Sequence, residues 1–413
     1  MPVQRIAMIC VHTSPLAPMG GKKTGGMNVY IRELAAELGR RGCAVDIFTR
    51  RSSSDEPEVD AQLGPRVRVV YLTAGPIAQL GPDELVPYLS EFTARLIAFS
   101  MLHNVSYDLI YSHYWLSGLV AIKLREAWGI PFVQMFHTLG QMKERTRTLQ
   151  TAAKDTQRIQ AEMLIVEKAD RLVAATPAEE SQLLWLYRAR PKRIAVIPPG
   201  VDVTRFQPIE KEQLRRSLGF EQCHLLLFVG RIEPLKAVDS VLEALAILKQ
   251  HDPELYANLC FAVVGGNPAA KDPDIEALKA LARELGVEDA VRFVGAKDRE
   301  ELPLYYAAAT AVLMPSEYES FGMAALEAMA SGTPVIASNV GGLAYVVRDG
   351  ETGFHVPVRD AKAIADRVRD LLKDAATQKR FAHNAVRVAQ SYAWDQIADQ
   401  LLTLFNDLLR SRR

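Results

Sequence analysis

The segment "TAVLMPSEYESFGMAALEAMASGTPVIAS" (310–338) places a short helix pattern between two strand patterns. Its ends are apolar and strand-like, and its middle is rich in Ala, Leu and Met, as in a buried helix. Alternation of strand and helix favours a parallel sheet covered by helices. Two carboxylates, Glu319 and Glu327, flank the predicted start of this helix. Taken singly, such residues are most often solvated surface charges.

The same alternation continues in both directions from that segment. The predicted strands before it are 5–12, 44–49, 66–72, 108–113, 131–137, 171–176, 193–199, 224–230, 258–266 and 290–296, and 353–357 follows it. These runs are mostly apolar rather than alternating, which is typical of parallel strands buried on both faces. The pattern predicts two doubly wound, Rossmann-like α/β domains in series.

A Pro-rich stretch without helical period, "IPPGVDVTRFQP" (197–208), marks the predicted domain boundary. We expect an N-terminal domain over 1–199 and a C-terminal domain over 200–390. The terminal helical pattern over 391–413 is expected to pack back onto the first domain. Two such domains are expected to face a cleft at the carboxyl ends of their strands, where ligands of open parallel sheets bind.

Composition narrows the classes of partner. The chain has 49 basic and 49 acidic residues, which argues against a dominant nucleic-acid or polybasic membrane mode. The cysteines show no metal-like spacing, and Cys10 and Cys260 lie in apolar strand patterns, where small core residues are expected. With no leader or spanning segment visible, we expect a cytoplasmic protein without integral membrane contact.

A glycine-rich loop, "TSPLAPMGGKKTGG" (13–26), follows the first strand pattern and precedes the first helix pattern. Gly25 and Gly26 allow close backbone approach to a ligand at a helix N-terminus, where free N–H groups favour an anion. The spacing is not the dinucleotide fingerprint. A flexible loop without a ligand is the alternative.

Two cations follow the first strand of the second domain, in "FVGRIEPLK" (228–236). Arg231 offers a planar fork to phosphate oxygens, and Lys236 offers a compact charge. The pair suits a diphosphate, although the pair taken alone fits a solvated loop slightly better.

The helix after Glu319 offers complementary groups. Ser320, Phe321 and Gly322 stand at its start, where backbone N–H groups are free to bind a polar ligand. Glu327 suits a ribose diol, because an ionised carboxylate accepts two hydrogen bonds. An Asp-x-Asp sequence at 272–274 precedes another helix pattern and is interpreted as a cap rather than a metal site. We therefore expect no metal and no cofactor.

Together these motifs resemble the retaining GT-B glycosyltransferases of family four. Glu319 and Glu327 match that family's E-x7-E motif, and Arg231 and Lys236 match its pyrophosphate-binding pair. "VIPPGVDVTRFQP" (196–208) and "EAMASGTPVIAS" (327–338) are similar to two further signatures. The stretches before and after the first helix are similar to two subgroups, the mycothiol-pathway N-acetylglucosaminyltransferases and the sucrose-phosphate synthases.

The resemblance implies a hexosyl transfer from a nucleotide-sugar, with uridine favoured, to a small polyol or sugar, with retention and without a metal. The residues implied as catalytic are His137, Arg231, Lys236 and Glu319. The donor would be bound by Gly25, Gly26, Arg231, Lys236, Val294, Glu319, Ser320, Phe321, Gly322, Met323, Ala324 and Glu327. Asn28, Tyr114, Thr138 and Arg158 match acceptor-side positions. Taken singly, His137, Tyr114 and Thr138 would be core residues, and Arg158 a surface residue.

The acceptor is the least determined part of the prediction. In the two phosphate-accepting subgroups a Lys that binds the acceptor phosphate occupies the position of Pro82, which carries neither charge nor N–H. We therefore expect an unphosphorylated acceptor. Sucrose-phosphate synthase and inositol-phosphate N-acetylglucosaminyltransferase activities remain alternatives. A nucleotide-sugar epimerase or a non-catalytic nucleotide-sugar binding protein would be another class, and a homodimer remains open.

Overall fold

The computed structural model describes residues 2–17, 25–145, 156–221, 223–267 and 272–412, and divides into two compact units. The first unit contains 1–17, 26–200 and 394–413. The second contains Gly25 and 201–393. Each unit has an α/β architecture, a sheet with helices, and its own apolar core.

The first unit is an eight-stranded sheet with the order β3-β4-β2-β1-β5-β6-β7-β8. Its strands are β1 Arg5–Ile9, β2 Ala44–Arg50, β3 Val59–Asp60, β4 Val67–Leu72, β5 Leu109–His113, β6 Phe132–Met135, β7 Arg171–Ala174 and β8 Ile194–Val196. Its helices are α1 Gly26–Arg40, α2 Pro82–Leu85, α3 Leu89–Leu102, α4 Tyr114–Trp128, α5 Gly140–Arg145, α6 Thr156–Lys168 and α7 Pro177–Leu186. All pairings are parallel except that of β3 with β4.

The second unit is a six-stranded parallel sheet with the order β11-β10-β9-β12-β13-β14. Its strands are β9 His224–Val229, β10 Leu259–Val264, β11 Val291–Gly295, β12 Ala311–Met314, β13 Val335–Ser338 and β14 Gly353–Val356. Its helices are α8 Lys211–Leu218, α9 Val238–His251, α10 Pro253–Tyr256, α11 Pro273–Glu284, α12 Leu302–Ala308, α13 Met323–Ala330, α14 Leu343–Val346, α15 Ala361–Lys373 and α16 Ala375–Gln390.

Both sheets reverse their strand order next to the first strand of the unit. β1 lies between β2 and β5, and β9 lies between β10 and β12. At such a switch point the loops on the two sides diverge, which opens a ligand crevice at the carboxyl ends of the strands. The prediction of two doubly wound parallel sheets is confirmed.

Most predicted strands are longer than the observed ones at their carboxyl ends. The strand expected over 5–12 ends at Ile9, and the strand expected over 131–137 ends at Met135. Val11 and Phe136 are nevertheless buried, so apolar sequence continues past the strand ends. The Val11 N–H donates to the Ser117 hydroxyl, and its carbonyl accepts the Arg50 N–H. The antiparallel edge strand β3 was not predicted, because two residues carry no period.

The last helix, α17 Trp394–Arg410, packs against α1 within the first unit. Its buried residues recur at helical spacing: Trp394, Ile397, Leu401, Phe405 and Leu408. The Trp394 and Tyr30 rings meet edge to face with centroids 5.6 Å apart. Arg41, which follows α1, donates to the carbonyl of Asp395 and to the Asp399 carboxylate.

One expectation about the cysteines is wrong. Cys260, on β10, is not a small core residue but forms a disulfide with Cys223, which precedes β9. Parallel pairing of β9 with β10 brings the two Cα atoms to 5.7 Å, across a sequence separation of 37 residues that gives no local signal. Cys10 is fully buried, as expected.

One stretch among the described residues, Pro82–Leu102, is long and apolar enough to cross a membrane by length and composition alone. In the structure it comprises α2, a 3-10 turn and α3 rather than one helix. Its side chains at Leu85, Phe92 and Leu96 are buried in the core of the first unit.

Candidate functional site

Two residues just after neighbouring strands of the first unit adopt the left-handed backbone region. Tyr114, after β5, has φ of 71°, and His137, shortly after β6, has φ of 61°. This region is uncommon for residues other than glycine and is typically held in place by surrounding contacts. The backbone thus fixes both side chains at the carboxyl edge of the sheet.

The His137 ring contacts a second histidine. Nε2 of His137 lies 3.0 Å from Nδ1 of His113, the last residue of β5. Tyr30 of α1 packs edge-on against both rings, at centroid distances of 5.2 and 5.6 Å. Burial lowers the pKa of His137 to about 3, with a further lowering by His12. Burial, and then His137, lowers the pKa of His113 well below its usual value, so both rings are neutral at neutral pH.

Three of the four predicted acceptor-side residues contact one another. Arg158 of α6 donates through one terminal nitrogen to the Thr138 carbonyl at 2.7 Å and to its hydroxyl at 3.1 Å. The guanidinium also lies over the Tyr114 ring, 4.9 Å from the centroid. Arg158 is buried, which excludes the surface alternative, and its Nε donates to Glu162 at 2.7 Å.

Glu162 was missed in the sequence although its spacing gives a signal. It lies four residues after Arg158 on α6, where opposite charges meet on one helix face. It is fully buried and also accepts the Gly140 backbone N–H and the Tyr187 hydroxyl. The arrangement neutralises Arg158 within the protein.

Asn28, the fourth acceptor-side residue, is buried on α1. Its amide donates to the Thr13 hydroxyl at 2.9 Å and to the Ser14 carbonyl at 2.7 Å, so it ties the loop after β1 to the start of α1. Gly26 begins α1, and Gly25 precedes it with open space where a Cβ would lie. Residues 18–24 of the glycine-rich loop lie outside the described residues.

In the second unit, Lys236 and Glu319 form an ion pair, with Nζ 2.5 Å from Oε2. Lys236 ends the 3-10 turn after β9, and Glu319 lies in the loop after β12, so the pair spans the switch point. Both side chains are mostly buried, with 16% and 18% exposed. The Glu317 backbone N–H also donates to the Leu235 carbonyl at 2.9 Å and links the same two loops.

Arg231 has a different setting from Lys236. Its side chain is about half exposed and pairs with Glu233 at 3.1 Å. Both cations follow β9, as predicted, but only Lys236 contacts one of the predicted acids.

Glycines allow close backbone packing around the start of α13. Gly322, its N-cap, has φ of 100°. A Cβ on Gly341 would lie 1.9 Å from the Glu319 carbonyl oxygen, and the Gly342 N–H donates to that oxygen at 2.9 Å. This glycine pair after β13 was missed, although "VGG" (340–342) follows a strand pattern. Close packing fixes the loop that carries Ser320 and Phe321 and leads to Met323 and Ala324.

Glu327 lies on the next turn of α13 and is mostly buried. Its Oε2 accepts the Tyr306 hydroxyl at 2.8 Å. Tyr306, fully buried on α12, was missed by sequence reasoning because an apolar helix gives no sign of a hydroxyl partner. Burial, and then Glu327, raises the pKa of Tyr306 well above its usual value, so the tyrosine remains a donor.

Val294 lies half-buried on β11, beside glycines at three strand ends. The Gly265 N–H donates to the Gly295 carbonyl at 3.0 Å. A Cβ on Gly265 would lie 1.9 Å from the Gly230 carbonyl oxygen. The carboxyl ends of β9, β10 and β11 therefore form a flat, close-packed backbone surface.

Potential metal ligands are not grouped in the described part of the chain: no cluster of three or more His, Cys, Asp or Glu side chains occurs there. The prediction that the Asp-x-Asp sequence caps a helix is confirmed. Asp272 is the N-cap of α11 and accepts the Asp274 N–H at 3.1 Å.

Comparison with known families matches both units. A model described as "Glycosyl transferases group 1" matches 210–388, and a "Glycosyl transferase 4-like domain" model matches 25–200. The chain is 43% identical over 405 residues to a D-inositol 3-phosphate glycosyltransferase of Actinosynnema mirum, covering 98% of this chain and 97% of the relative.

Solved structures agree at the level of fold. Sucrose-phosphate synthase from Thermosynechococcus elongatus has a TM-score of 0.89 at 34% identity, covering 99% of this chain and 100% of that one. The glycosyltransferase WaaG, at 20% identity and a TM-score of 0.71, supports the fold alone, with 97% and 99% coverage. The GT-B prediction is confirmed.

Proposed function

The chain belongs to the group 1 glycosyl transferases, and from that premise we propose that it transfers a hexosyl group from a nucleotide-sugar to a small polyol or sugar acceptor. The observation that carries the proposal is the Lys236–Glu319 pair at the switch point of the second sheet. It joins a cation suited to phosphate to a carboxylate suited to sugar hydroxyls. UDP is the proposed carrier.

On the donor side, each group has a chemical counterpart in a nucleotide-sugar. Lys236 and Arg231 stabilise the charge that builds on the leaving diphosphate. Glu319 and the N–H groups at the start of α13 bind the hydroxyls of the transferred sugar. Glu327, oriented by the Tyr306 hydroxyl, binds the ribose diol, and the backbone near Val294 contacts the base.

On the acceptor side, the proposal rests on neutral groups of the first unit. His137 contacts the transferred sugar as a neutral imidazole, while Tyr114, Thr138 and Asn28 contact the acceptor. Arg158 is already compensated by Glu162, and Pro82 offers no charge. Both features favour an acceptor without phosphate.

The proposed reaction retains anomeric configuration and needs no metal. The bond between the anomeric carbon and the diphosphate breaks, and the acceptor hydroxyl attacks from the same face. The leaving phosphate oxygen takes the proton of that hydroxyl. The products are a nucleoside diphosphate and a glycoside, and the protein supplies positioning and charge stabilisation.

A second candidate is transfer to a phosphorylated inositol. It is favoured by the 43% identity to a relative that bears that name. It requires another cation to replace the lysine that the phosphate-accepting subgroups carry at the position of Pro82. The two candidates differ only in the acceptor.

The test is to screen nucleotide-sugars for thermal stabilisation of the protein and then incubate the best one with paired acceptors, phosphorylated and unphosphorylated. Product masses and anomeric configuration are recorded with and without a metal chelator. Transfer to the unphosphorylated form supports the proposal, and preference for inositol phosphate supports the second candidate. Donor conversion without an acceptor would indicate an epimerase, and an intact donor throughout would indicate a binding protein.

A further inference from the structure

His113 is a fully buried histidine for which the proposed reaction has no use. It ends β5, precedes α4, and has no exposed surface. Its ring packs against Tyr111 at 4.3 Å and Tyr30 at 5.6 Å between centroids, and these two hydroxyls bond to each other at 2.7 Å. It is therefore enclosed by aromatic rings and cannot reach a ligand directly.

Its ring nitrogens have unequal surroundings. Nδ1 lies 3.0 Å from Nε2 of His137. Nε2 is buried and has no hydrogen-bond partner among the residues that the structure describes. Because both rings are neutral, the short contact holds a single proton, and one histidine donates while the other accepts.

Two arrangements of protons satisfy this contact. If His137 donates from Nε2, the proton of His113 lies on its own Nε2, as a buried donor without an acceptor. If His113 donates from Nδ1, its Nε2 carries only a lone pair. Buried N–H groups without partners are rarer than acceptors without partners, so the second arrangement is the more stable one.

We propose that His113 is a positioning residue that donates from Nδ1 to Nε2 of His137 and thereby holds the His137 proton on Nδ1. His137 then presents a fixed N–H donor from its other ring nitrogen. The Tyr30 ring, edge-on to both imidazoles, restricts their rotation. His113 thus fixes the orientation of the His137 ring and does not transfer a proton to a ligand.

This inference deepens the proposed function and rests on it in one respect, the ligand of His137. A sugar hydroxyl facing Nδ1 would accept a hydrogen bond through its oxygen and keep its own proton free for another partner. Glucose-like sugars carry such hydroxyls, whereas a deoxy sugar at that position would lose the bond.

The decisive measurement is the ¹⁵N spectrum of the histidine rings in the full-length protein without ligand. Eight histidines are present, and a His137→Gln variant assigns the resonances of His137 by difference. We expect a protonated Nδ1 and an unprotonated, hydrogen-bonded Nε2 on His137. A protonated Nε2 on that ring would overturn the proposal.

A His113→Leu variant tests the consequence while keeping a buried side chain of similar volume. The His137 ring should lose its fixed tautomer and move towards Nε2 protonation. If transfer occurs as proposed, kcat should fall about tenfold to a hundredfold, the scale of one mispaired buried group. The matched control is His103→Leu, an exposed histidine in the same unit, which should keep the wild-type spectrum and rate.

The proposed histidine arrangement and the proposed transferase function can be contradicted independently of each other. The ring spectrum needs no substrate, so a protein without transferase activity still tests the histidine arrangement. A wild-type tautomer on His137 in the His113→Leu variant would contradict the positioning role even in an active transferase.

Discussion

The two sheets reverse strand order in the same way but carry different chemistry at the reversal. In the first unit the residues after β5 and β6 form a neutral aromatic and imidazole cluster around His113 and His137. In the second unit the loops after β9 and β12 bring together Lys236 and Glu319 as a charged pair. The topology determines where a site can form, and the loop residues determine its charge.

Burial explains why the imidazoles of His113 and His137 stay neutral, and contact distances explain how the charged groups are compensated. The imidazoles of His113 and His137 have no carboxylate at hydrogen-bond distance among the residues that the structure describes, so desolvation, which lowers the pKa of both, keeps them neutral. Lys236 and Glu319 lie at contact distance from each other, and each keeps some exposed surface. Arg158 follows the same rule in the first unit, where full burial of its charge is matched by Glu162.

The largest expected effect comes from a substitution in the Lys236–Glu319 pair of the second unit. Replacing Lys236 with Met removes the cation and leaves the Glu319 carboxylate without its partner. We expect kcat to fall about a hundredfold to a thousandfold, as when a preorganised charge-stabilising donor is lost. Steady-state kinetics with a fixed acceptor measures this effect.

The control for that change is Lys362→Met, on α15 of the same unit, where the side chain is 77% exposed and pairs with Asp366. It should retain wild-type kinetics. Wild-type turnover in Lys236→Met would remove the basis for assigning the donor diphosphate to this pair.

Sequence reasoning predicted what depends on local pattern. The strand and helix alternation gave both sheets, and the spacing of Glu319 and Glu327 predicted two acids around α13. The contact between Lys236 and Glu319 was not predicted, although both residues follow neighbouring strands of one sheet. Strand ends were less accurate, since Val11 and Phe136 are apolar and buried although they lie beyond the ends of their strands.

What sequence reasoning missed are partners that lie far apart in the chain. Tyr306 and Glu327 meet between two helices, and His113 and His137 meet across two strands. The same holds for Cys223 and Cys260, whose pairing depends on the register of β9 against β10. No local period encodes such contacts, because they arise only once the sheet order is known.

A second test addresses the neutral histidine pair of the first unit through the pH dependence of stability. The pKa of His137 is about 3 in the fold and about 6.5 when unfolded, so between these values only the unfolded chain binds the proton. The contribution of such a histidine to the free energy of unfolding is therefore complete above pH 6.5. It is lost as pH falls, by about 1.4 kcal/mol per pH unit for each such histidine. Glu179, whose pKa burial raises to about 7, acts in the opposite direction between pH 4.5 and 7.

The variant that isolates this effect is His113→Leu, followed by thermal unfolding between pH 5 and 7. Removing one of the two buried histidines should make the decline of Tm towards acid pH shallower. Glu179→Gln should make it steeper, because the opposing group is gone. His103→Leu leaves the buried pair intact and should keep the wild-type slope. An unchanged slope in His113→Leu would mean that this ring is protonated in the folded protein.

The smallest expected effect concerns Arg359, which lies after β14 and links the loop after β12 to the first turn of α9 in the second unit. Its Nε donates to Glu317 at 2.6 Å, and a terminal nitrogen donates to Asp239 at 2.6 Å. Glu317 lies two residues before Glu319, and Asp239 lies three residues after Lys236, so Arg359 helps to set the spacing of the Lys236–Glu319 pair.

Because the Arg359 side chain is 47% exposed, solvent screens both contacts, and each is worth only about 0.2–1 kcal/mol. The backbone bond from Glu317 to Leu235 also holds the loops without it. Arg359→Ala should therefore lower kcat/KM for the donor only about two- to fivefold, and added salt should reduce the difference from wild type. Arg367→Ala, with similar exposure on α15, is the control and should change neither value. A loss as large as that of Lys236→Met would mean that Arg359 binds the donor itself, and the charged site would then extend from the switch point to the loop after β14.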